Sequence, residues 1–223
     1  ERKSMKKAYL TNKTEYQVNT IFCLGLNYMN HISEMNHTFP TQPVFFIKPN
    51  TAISYQNEVI HIPSICKNFH YEAEITLLIS KDCKNVSEIE ALDFIAGYGI
   101  GIDFTMRDQQ EKAKAKGLPW TLSKSFDKSA MLSDFIPFDK PELLENLSFS
   151  LKQNGITKQT GNSRDMIFKP GKIIAYLSQF FTLQAGDVIF TGTPEGVGTL
   201  SPGDHLELFL NENLLISCNI GNC

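Results

Sequence analysis

Two glutamates separated by one residue are the first side chains whose spacing indicates chemistry. Glu72 and Glu74 open an apolar run that ends at Ile79. If this run is a β-strand, its two-residue period places both carboxylates on one face, where they repel each other unless a proton, a basic side chain or a metal neutralises them. Most such pairs are merely solvent-facing strand starts, so the pair alone leaves both interpretations open.

A third acid favours the metal interpretation. Residues 96–103 are small, apolar and punctuated by glycine, which is typical of a buried strand, and this stretch ends at Asp103. Three carboxylates without cysteine or neighbouring histidine ligands suit a hard cation such as Mg²⁺ or Mn²⁺, with the remaining positions left to water and substrate. Glu72, Glu74 and Asp103 are therefore the candidate metal ligands.

A histidine and a glutamate three residues apart form a second candidate. If the chain after Tyr28 is helical, His31 and Glu34 share one face. A carboxylate that orients a histidine fixes its tautomer and raises its basicity, which makes the pair a candidate base for activating water. An ordinary surface pair on a short helix is the alternative.

A single lysine lies close to the only tryptophan of the chain. Lys124 follows Trp120 in a segment bounded by Gly117 and Pro119. A lysine held in such a loop could stabilise a developing oxyanion. The alternative is a solvated loop lysine.

A threonine- and glycine-rich loop follows an apolar strand near the end of the chain. Its sequence runs Thr-Gly-Thr-Pro-Glu-Gly-Val-Gly over residues 191–198. Hydroxyls and glycine-exposed amides of this kind can bind a carboxylate or a phosphate. The Gly-Lys-Ser/Thr ending of a P-loop is missing, and a plain turn between strands is the alternative.

Short apolar runs between turn signals predict more strands than helices. A capping-box pattern at Ser87 and Glu90, Thr105 with Asp108, and Pro170 mark helix starts. Because helices do not follow each strand, we expect an α+β fold with a mixed sheet. Strands are predicted at residues 21–24, 44–47, 74–79, 96–103, 188–190 and 206–210. We expect residues 1–19 to be an N-terminal arm, with 1–4 an expression remnant ahead of Met5, and residues 20–223 to be one catalytic domain.

Composition excludes several classes. The 223 residues are 42% hydrophobic with a net charge of −3, so the chain can bury a core but shows no electrostatic footprint for nucleic acid or an anionic membrane. No apolar run approaches the roughly 18 residues of a membrane helix. Five cysteines without a Cys-x-x-Cys pair predict reduced thiols in a cytosol-like compartment. A zinc site at Cys66 and His70 lacks its second ligand pair.

In their order along residues 21–210, these motifs resemble the fumarylacetoacetate hydrolase family. No single motif is diagnostic, but their combination is specific. The likeness is strongest with short, single-domain acylpyruvases, oxaloacetate decarboxylases and hydroxymuconate-type isomerases. The matching stretches are residues 25–34, 45–49, 71–74, 97–108, 124–127, 165–168 and 186–198.

The resemblance implies a mixed β-sandwich rolled on itself with a few short helices, assembled as a homodimer. It also implies roles for the candidate residues and for others nearby. The implied roles are Mg²⁺ or Mn²⁺ ligands for Glu72, Glu74 and Asp103, a water-activating dyad for His31 and Glu34, contact with the reacting carbonyl or enolate for Lys124, and substrate binding for Arg107, Gln110 and Thr193. Leu26 and Arg164 receive no role.

The implied activity is metal-dependent hydrolysis of acylpyruvates or decarboxylation of oxaloacetate, both small β-keto α-keto acids, through an enolate stabilised by the cation and Lys124. An isomerase of the 2-hydroxyhepta-2,4-diene-1,7-dioate type is the alternative on the same site. A non-enzymatic binding module is more distant, because every candidate residue is present. The expected partners are a keto acid and a second copy of the chain, without nucleic acid or membrane. The expected compartment is the cytoplasm, or an organellar matrix in a eukaryote.

Overall fold

Strands dominate the fold, as the sequence predicts. The computed structural model describes residues 6–29 and 40–222. Within these residues the strands are β1 (Lys7–Tyr9), β2 (Glu15–Gln17), β3 (Thr20–Gly25), β4 (Val44–Pro49), β5 (Ile53–Tyr55), β6 (Val59–Ile62), β7 (Phe69–Tyr71), β8 (Ala73–Ile79), β9 (Ile95–Asp103), β10 (Thr105–Met106), β11 (Ala130–Leu132), β12 (Ile136–Pro137), β13 (Ser148–Gln153), β14 (Ile156–Asn162), β15 (Val188–Phe190), β16 (Gly198–Leu200), β17 (His205–Leu210) and β18 (Asn213–Asn222).

Three α-helices lie wholly within the described residues: α1 (Arg107–Ala115), α2 (Thr121–Lys124) and α3 (Pro170–Phe180). Among the described helices, none is both long enough and apolar enough to cross a membrane. Short 3₁₀ turns are also present. They are Asn50–Ala52, Glu90–Phe94, Pro141–Leu144 and Ser163–Asp165.

A mixed sheet forms the centre of the molecule. Its strand order is β4-β3-β15-β8-β9-β11-β5, with β12 added on β9. The pairs β15/β3 and β11/β5 are parallel, and the other pairs are antiparallel. A five-stranded sheet, β14-β13-β17-β18-β6, packs against one face of the central sheet. The predicted α+β sandwich with few helices is therefore confirmed.

Both faces of the central sheet are buried because its strands carry apolar side chains on both. Along β8, Ile75, Leu77 and Ile79 enter the main core, which the five-stranded sheet covers, whereas Leu78 enters a second core on the opposite face. Alternation continues toward the start of β8, so Glu74 shares the face of Leu78. The acidic end of β8 therefore lies beside an apolar core and away from open solvent.

The described part of the predicted N-terminal arm is a hairpin. Strands β1 and β2 pair antiparallel, and Ala8, Leu10 and Val18 are buried in the second core. The stretch is polar overall, but these apolar side chains attach it to the sheet.

Local signals were mostly correct at element ends. Ser87 and Glu90 form the predicted capping box, in which the Ser87 hydroxyl donates to the Glu90 carboxylate at 2.7 Å, although the helix that follows is a 3₁₀ turn. Pro170 opens α3 as predicted. Strand β4 continues through Pro49 because it lies at a sheet edge, where proline is tolerated.

The prediction that Thr105 starts a helix was wrong. Helix α1 begins at Arg107, and Met106, which precedes it, makes no side-chain cap. Thr105 is in β10 instead, and its hydroxyl oxygen accepts a hydrogen bond from Lys124. A tertiary contact has therefore replaced the local capping role.

Candidate metal and substrate site

The three predicted metal ligands converge at one end of the central sheet. Oxygen atoms of Glu72, Glu74 and Asp103 lie within 4.8 Å of one another, and all three residues are buried. Two backbone contacts produce this: Glu74 pairs with Gly101 across β8 and β9, and the Asp103 N–H donates to the Glu72 carbonyl at 2.8 Å. The same-face geometry expected from the two-residue period brings the acids together.

Lys124 lies among the carboxylates. Its Nζ donates to Glu72 Oε2 at 2.7 Å, to Asp103 Oδ2 at 2.8 Å and to Thr105 Oγ1 at 2.7 Å. The residue is 2% exposed, so the alternative of a solvated loop lysine is wrong. Three acceptors occupy the three donors of the ammonium group and hold it in a fixed position.

Two further cations complete the charge balance of the site. Lys48 Nζ lies 2.7 Å from Asp103 Oδ1 and also donates to the carbonyl groups of Ser129 and Lys124. Arg107 donates to Glu72 Oε1 and, at 2.5 Å, to Gln110 Oε1. Lys48 was not among the predicted site residues. Its position inside the apolar strand β4 was the sequence feature that could have indicated a buried, paired lysine.

Glu74 has a different environment from the other two acids. Its Oε2 accepts a hydrogen bond from the Gly192 N–H at 2.6 Å. Burial raises the pKa of its carboxyl group well above the ordinary value, and the Asp103 and Glu72 carboxylates raise it further. For Lys124, burial opposes the charge, but the Asp103 and Glu72 carboxylates outweigh it and raise the pKa. The ionised form of Glu74 is therefore disfavoured by its surroundings, and a bound cation would stabilise it.

The donor set fits a hard divalent cation. All three candidate ligands offer carboxylate oxygens, the kind of donor that Mg²⁺ and Mn²⁺ prefer. No described lysine or arginine pairs with Glu74 at ion-pair distance, so a bound cation would supply the positive charge that its ionised form lacks. The site therefore has the ligand chemistry of a metal centre and one buried acid without a cationic side chain beside it.

The threonine- and glycine-rich loop packs directly against Glu74. Gly192 has φ of +99°, and a Cβ atom at this position would lie 2.7 Å from the Asn27 Cβ, so the close approach requires glycine. Thr193, the next residue, is buried, and its Oγ1 accepts a hydrogen bond from Gln159 at 2.8 Å. Thr193 thus follows directly the residue that contacts Glu74, and its role in substrate binding stays a prediction.

Asn27 supports the site through its contacts with the threonine- and glycine-rich loop, a role that the sequence analysis did not predict. It is fully buried, and its Nδ2 donates to the carbonyl groups of Thr191 and Phe168, at 2.7 and 3.1 Å. Its Oδ1 accepts from the Phe168 N–H at 2.7 Å. One side chain therefore ties the threonine- and glycine-rich loop to the segment that precedes α3.

We expect Asn27→Ala to destabilise the protein by about 3 kcal/mol or more, because three buried backbone groups would lose their partner at a cost of about 1–3 kcal/mol each. Urea unfolding measures the change. Asn213→Ala is the matched control, since among the described residues its side chain makes an exposed hydrogen bond to Asn211 and no buried one, and a change below about 0.5 kcal/mol is expected there. Equal stability of the Asn27→Ala variant and the wild type would contradict this role.

A small cavity of about 40 Å³ lies above the charged cluster. Its polar wall includes Glu72, Arg107, Gln110 and Lys124, so four predicted site residues meet at one opening. The other six lining residues were not predicted to have roles. They are Leu24, Gly25, Leu26, Phe46, Lys114 and Trp120.

Lys114 is a further missed residue of this wall. Its Nζ lies 5.1 Å from the centre of the Trp120 ring, and burial together with the Arg107 charge lowers its pKa. Arg164 lies elsewhere, at the rim of a separate cavity of about 410 Å³, with its guanidinium 3.7 Å from Asp165, and nothing in the structure explains it. His31 and Glu34 lie outside the described residues.

The fold and the site define a family. Residues 20–221 match the family described as "Fumarylacetoacetate (FAA) hydrolase C-terminal", and this chain belongs to that family, as the sequence motifs indicated. The chain is 43% identical over 187 residues to "Oxaloacetate tautomerase FAHD1, mitochondrial" of Bos taurus, with 84% of this chain and 85% of the relative covered.

Two other proteins extend the comparison. "Oxaloacetate decarboxylase, mitochondrial" of Dictyostelium discoideum is 41% identical over 184 residues, which cover 82% of this chain and 84% of the relative. The crystal structure of fumarylpyruvate hydrolase from Pseudomonas aeruginosa in complex with Mn²⁺ and pyruvate superimposes with a TM-score of 0.95 at 28% identity, covering 100% of this chain and 98% of that chain.

Proposed function

We propose that this chain is a divalent-metal-dependent enzyme that acts on small β-keto α-keto acids, oxaloacetate first among them, through an enolate. One observation carries the proposal: three buried carboxylates lie together, and two of them bind a lysine that also lines the cavity. Relatives whose names specify oxaloacetate chemistry support it, as does the similarity to a fumarylpyruvate hydrolase bound to Mn²⁺ and pyruvate.

The charge of the site supports a dianionic substrate. The three acids are balanced by three cations, namely Lys48, Arg107 and Lys124. A bound divalent ion would leave an excess of two positive charges, which matches the two carboxylates of oxaloacetate. In a buried site this complementarity contributes to substrate choice and association rate.

The metal would be held by Glu72, Glu74 and Asp103, and either Mg²⁺ or Mn²⁺ fits their oxygens. When bound, the cation supplies Lewis-acid polarisation of the substrate's 2-oxo group. The Gly192 N–H, which donates a hydrogen bond to Glu74, would orient this carboxylate toward the metal.

The chain's own residues perform the remaining tasks. Lys124 holds a fixed positive charge beside the position where the enolate oxygen develops, and preorganised charge of this kind stabilises a transition state without reorganisation. Thr193 would hold the substrate carboxylate, while Arg107 and Gln110 line the opening and orient the remaining oxygens. We assign His31 and Glu34 the activation of water in hydrolysis or the transfer of a proton in tautomerisation.

The enolate is common to several outcomes. Loss of CO₂ from oxaloacetate leaves the electron pair in an enolate of pyruvate. Attack of water on the distal carbonyl of an acylpyruvate breaks the C–C bond to the methylene carbon, so that the acyl group leaves as a carboxylic acid and the same enolate is released. Proton transfer alone gives keto–enol tautomerisation or isomerisation. We place decarboxylation and hydrolysis first and proton transfer second.

We also propose that the chain acts as a homodimer. Strand β4 is an edge strand with Val44 and Ile47 partly exposed, and two exposed leucines are Leu118, between α1 and α2, and Leu122, within α2. An organellar matrix or the cytoplasm is the proposed compartment, since the names of the bovine and Dictyostelium relatives specify mitochondria.

A metal-controlled substrate panel tests the proposal. Metal-free protein would be supplied with Mg²⁺ or Mn²⁺ and given oxaloacetate, acetylpyruvate or a hydroxymuconate analogue. We expect turnover of at least one keto acid with either metal. We expect none in excess EDTA, because the three carboxylates cannot act as a Lewis acid toward the substrate's 2-oxo group. Enol absorbance, CO₂ and pyruvate measured together identify the reaction. Full turnover in excess EDTA, or no turnover of any substrate, would overturn the proposal.

A further inference from the structure

One buried glutamine connects the acidic cluster to the threonine- and glycine-rich loop. Gln159 is the only residue of β14 that is fully buried, and it is 1% exposed. It lies 86 residues beyond Ala73, the residue between two of the proposed metal ligands, and accepts a hydrogen bond from the Ala73 N–H at 2.9 Å. A polar side chain turned inward from an otherwise exposed strand needs partners for both ends of its amide.

The orientation of the Gln159 amide is determined by its neighbours. A backbone N–H can only donate and a carbonyl oxygen can only accept. Gln159 Oε1 faces the Ala73 N–H, and Nε2 faces the Pro194 carbonyl oxygen at 3.0 Å. Exchanging the oxygen and the nitrogen would place two donors together at one end and two acceptors together at the other, so only one orientation is compatible with both contacts.

This orientation determines the direction of the hydrogen bond to Thr193. Nε2 lies 2.8 Å from Thr193 Oγ1 and must be its donor. A hydroxyl group has one hydrogen to donate and two positions at which it accepts. Because Gln159 occupies an accepting position, the hydroxyl hydrogen is directed away from the glutamine. Thr193 follows Gly192, whose N–H contacts Glu74, so the loop that carries this hydroxyl lies against the acidic cluster and the hydroxyl retains its hydrogen for another acceptor.

We propose that Gln159 is a positioning residue that sets the hydrogen-bond polarity of Thr193, so that this hydroxyl donates to a carboxylate oxygen of the substrate. The inference rests on the proposed function, because it takes the ligand of Thr193 to be a carboxylate. The Gln159 side chain would then support two parts of the site at once. Its contact with Thr193 supports the carboxylate subsite, and its contact with Ala73 supports the chain between two of the proposed metal ligands.

Gln159→Glu tests the polarity directly. Glutamate has nearly the same shape and still accepts from the Ala73 N–H, but its second oxygen carries no hydrogen and faces both Thr193 Oγ1 and the Pro194 carbonyl oxygen. Of these two neighbours only the hydroxyl can reorient to donate, and the unfavourable contact with Pro194 is the same with and without the Thr193 hydroxyl. The threonine hydroxyl would then donate to the introduced carboxylate and would meet the substrate as an acceptor. We expect KM to rise about tenfold or more, because a hydrogen bond to a charged group is lost, while kcat at saturating substrate changes by less than about threefold.

A double-mutant cycle separates polarity from added charge. Thr193→Val removes the hydroxyl, and in that background Gln159→Glu should raise KM by less than about threefold if it acts through Thr193. Mn²⁺ affinity of the Gln159→Glu variant, measured by calorimetry without substrate, should remain within about threefold of the wild type. Thr193→Ser keeps the hydroxyl and should keep the full sensitivity to Gln159→Glu.

The outcomes that contradict the role of Gln159 differ from those that contradict the proposed function. An unchanged KM in Gln159→Glu, an equal rise in the Thr193→Val background, or a matching loss of Mn²⁺ affinity would overturn the inference. If Gln159→Glu does not fold, as judged by its thermal melt, Gln159→Met removes the donor without adding charge and is subject to the same cycle. Absence of keto-acid turnover in the wild type would instead be a failure of the proposed function.

Discussion

Glu74→Gln is expected to abolish metal-dependent turnover and yet to raise the melting temperature of the metal-free protein. The carboxylate is buried near Glu72 and Asp103, which together with burial raise its pKa. A glutamine keeps an oxygen for the Gly192 N–H but removes the acid whose ionised form burial and the other two carboxylates disfavour, and a raised carboxyl pKa costs stability at neutral pH. Without metal, the substitution therefore relieves an electrostatic cost.

The expected magnitudes are large enough to measure. Relief of the repulsion on the order of 1 kcal/mol would raise the melting temperature by about 2–4 °C in a chain of this size. Loss of a ligand should weaken Mn²⁺ binding by more than the roughly 10–100-fold typical of outer-shell changes. Calorimetric metal titration and melts with and without metal measure both.

Glu142→Gln is the control, because Glu142 is exposed and lies outside the site. It should change neither metal affinity nor melting temperature. Wild-type Mn²⁺ affinity in the Glu74→Gln protein would remove Glu74 from the metal site.

Lys124→Met is expected to have the opposite effect on stability. The substitution removes an ammonium group that bridges Glu72 and Asp103 and leaves two buried carboxylates with fewer partners. Breaking a buried pair from one side costs about 3–5 kcal/mol. A bound divalent cation should restore much of this stability, because it also neutralises the two carboxylates.

Turnover should not return with the metal. Lys124 is proposed to stabilise the enolate oxygen, and loss of one such group typically lowers kcat by about 10²–10³-fold. Lys112→Met is the control, since Lys112 is mostly exposed and lies 3.5 Å from Asp108 within one helix; a change below about 0.5 kcal/mol is expected. Normal kcat of Lys124→Met at saturating metal would show that the lysine serves stability alone.

The convergence of the three proposed metal ligands could be predicted because their signal is local. The spacing of Glu72 and Glu74 specifies one face of a strand, and Asp103 ends a stretch whose small apolar residues identify it as buried. The family resemblance covers nearly the whole chain, and the mixed fold followed from it and from the alternation of strand and turn signals. His31 and Glu34 stay predictions because they lie outside the described residues.

The supporting residues could not be predicted individually, because their partners are distant in sequence. Asn27 bonds Phe168, which is 141 residues away, and Lys48 bonds Lys124, which is 76 residues away. No periodicity or spacing encodes such contacts. Thr105 matched a local capping pattern, but its hydroxyl oxygen instead accepts a hydrogen bond from Lys124, which no local pattern predicts.

The parallel strand pairs determine when the site can form during folding. Strand β15 joins the central sheet beside β3, and β18 pairs with β6, so early and late parts of the chain must meet. The loop that contacts Glu74 follows β15 directly. Proteins dominated by such distant pairings fold over milliseconds to seconds, roughly, because loop closure precedes the stabilising contacts. Metal affinity should therefore appear only with global folding, and recovery of Mn²⁺ binding after denaturant dilution would follow that folding.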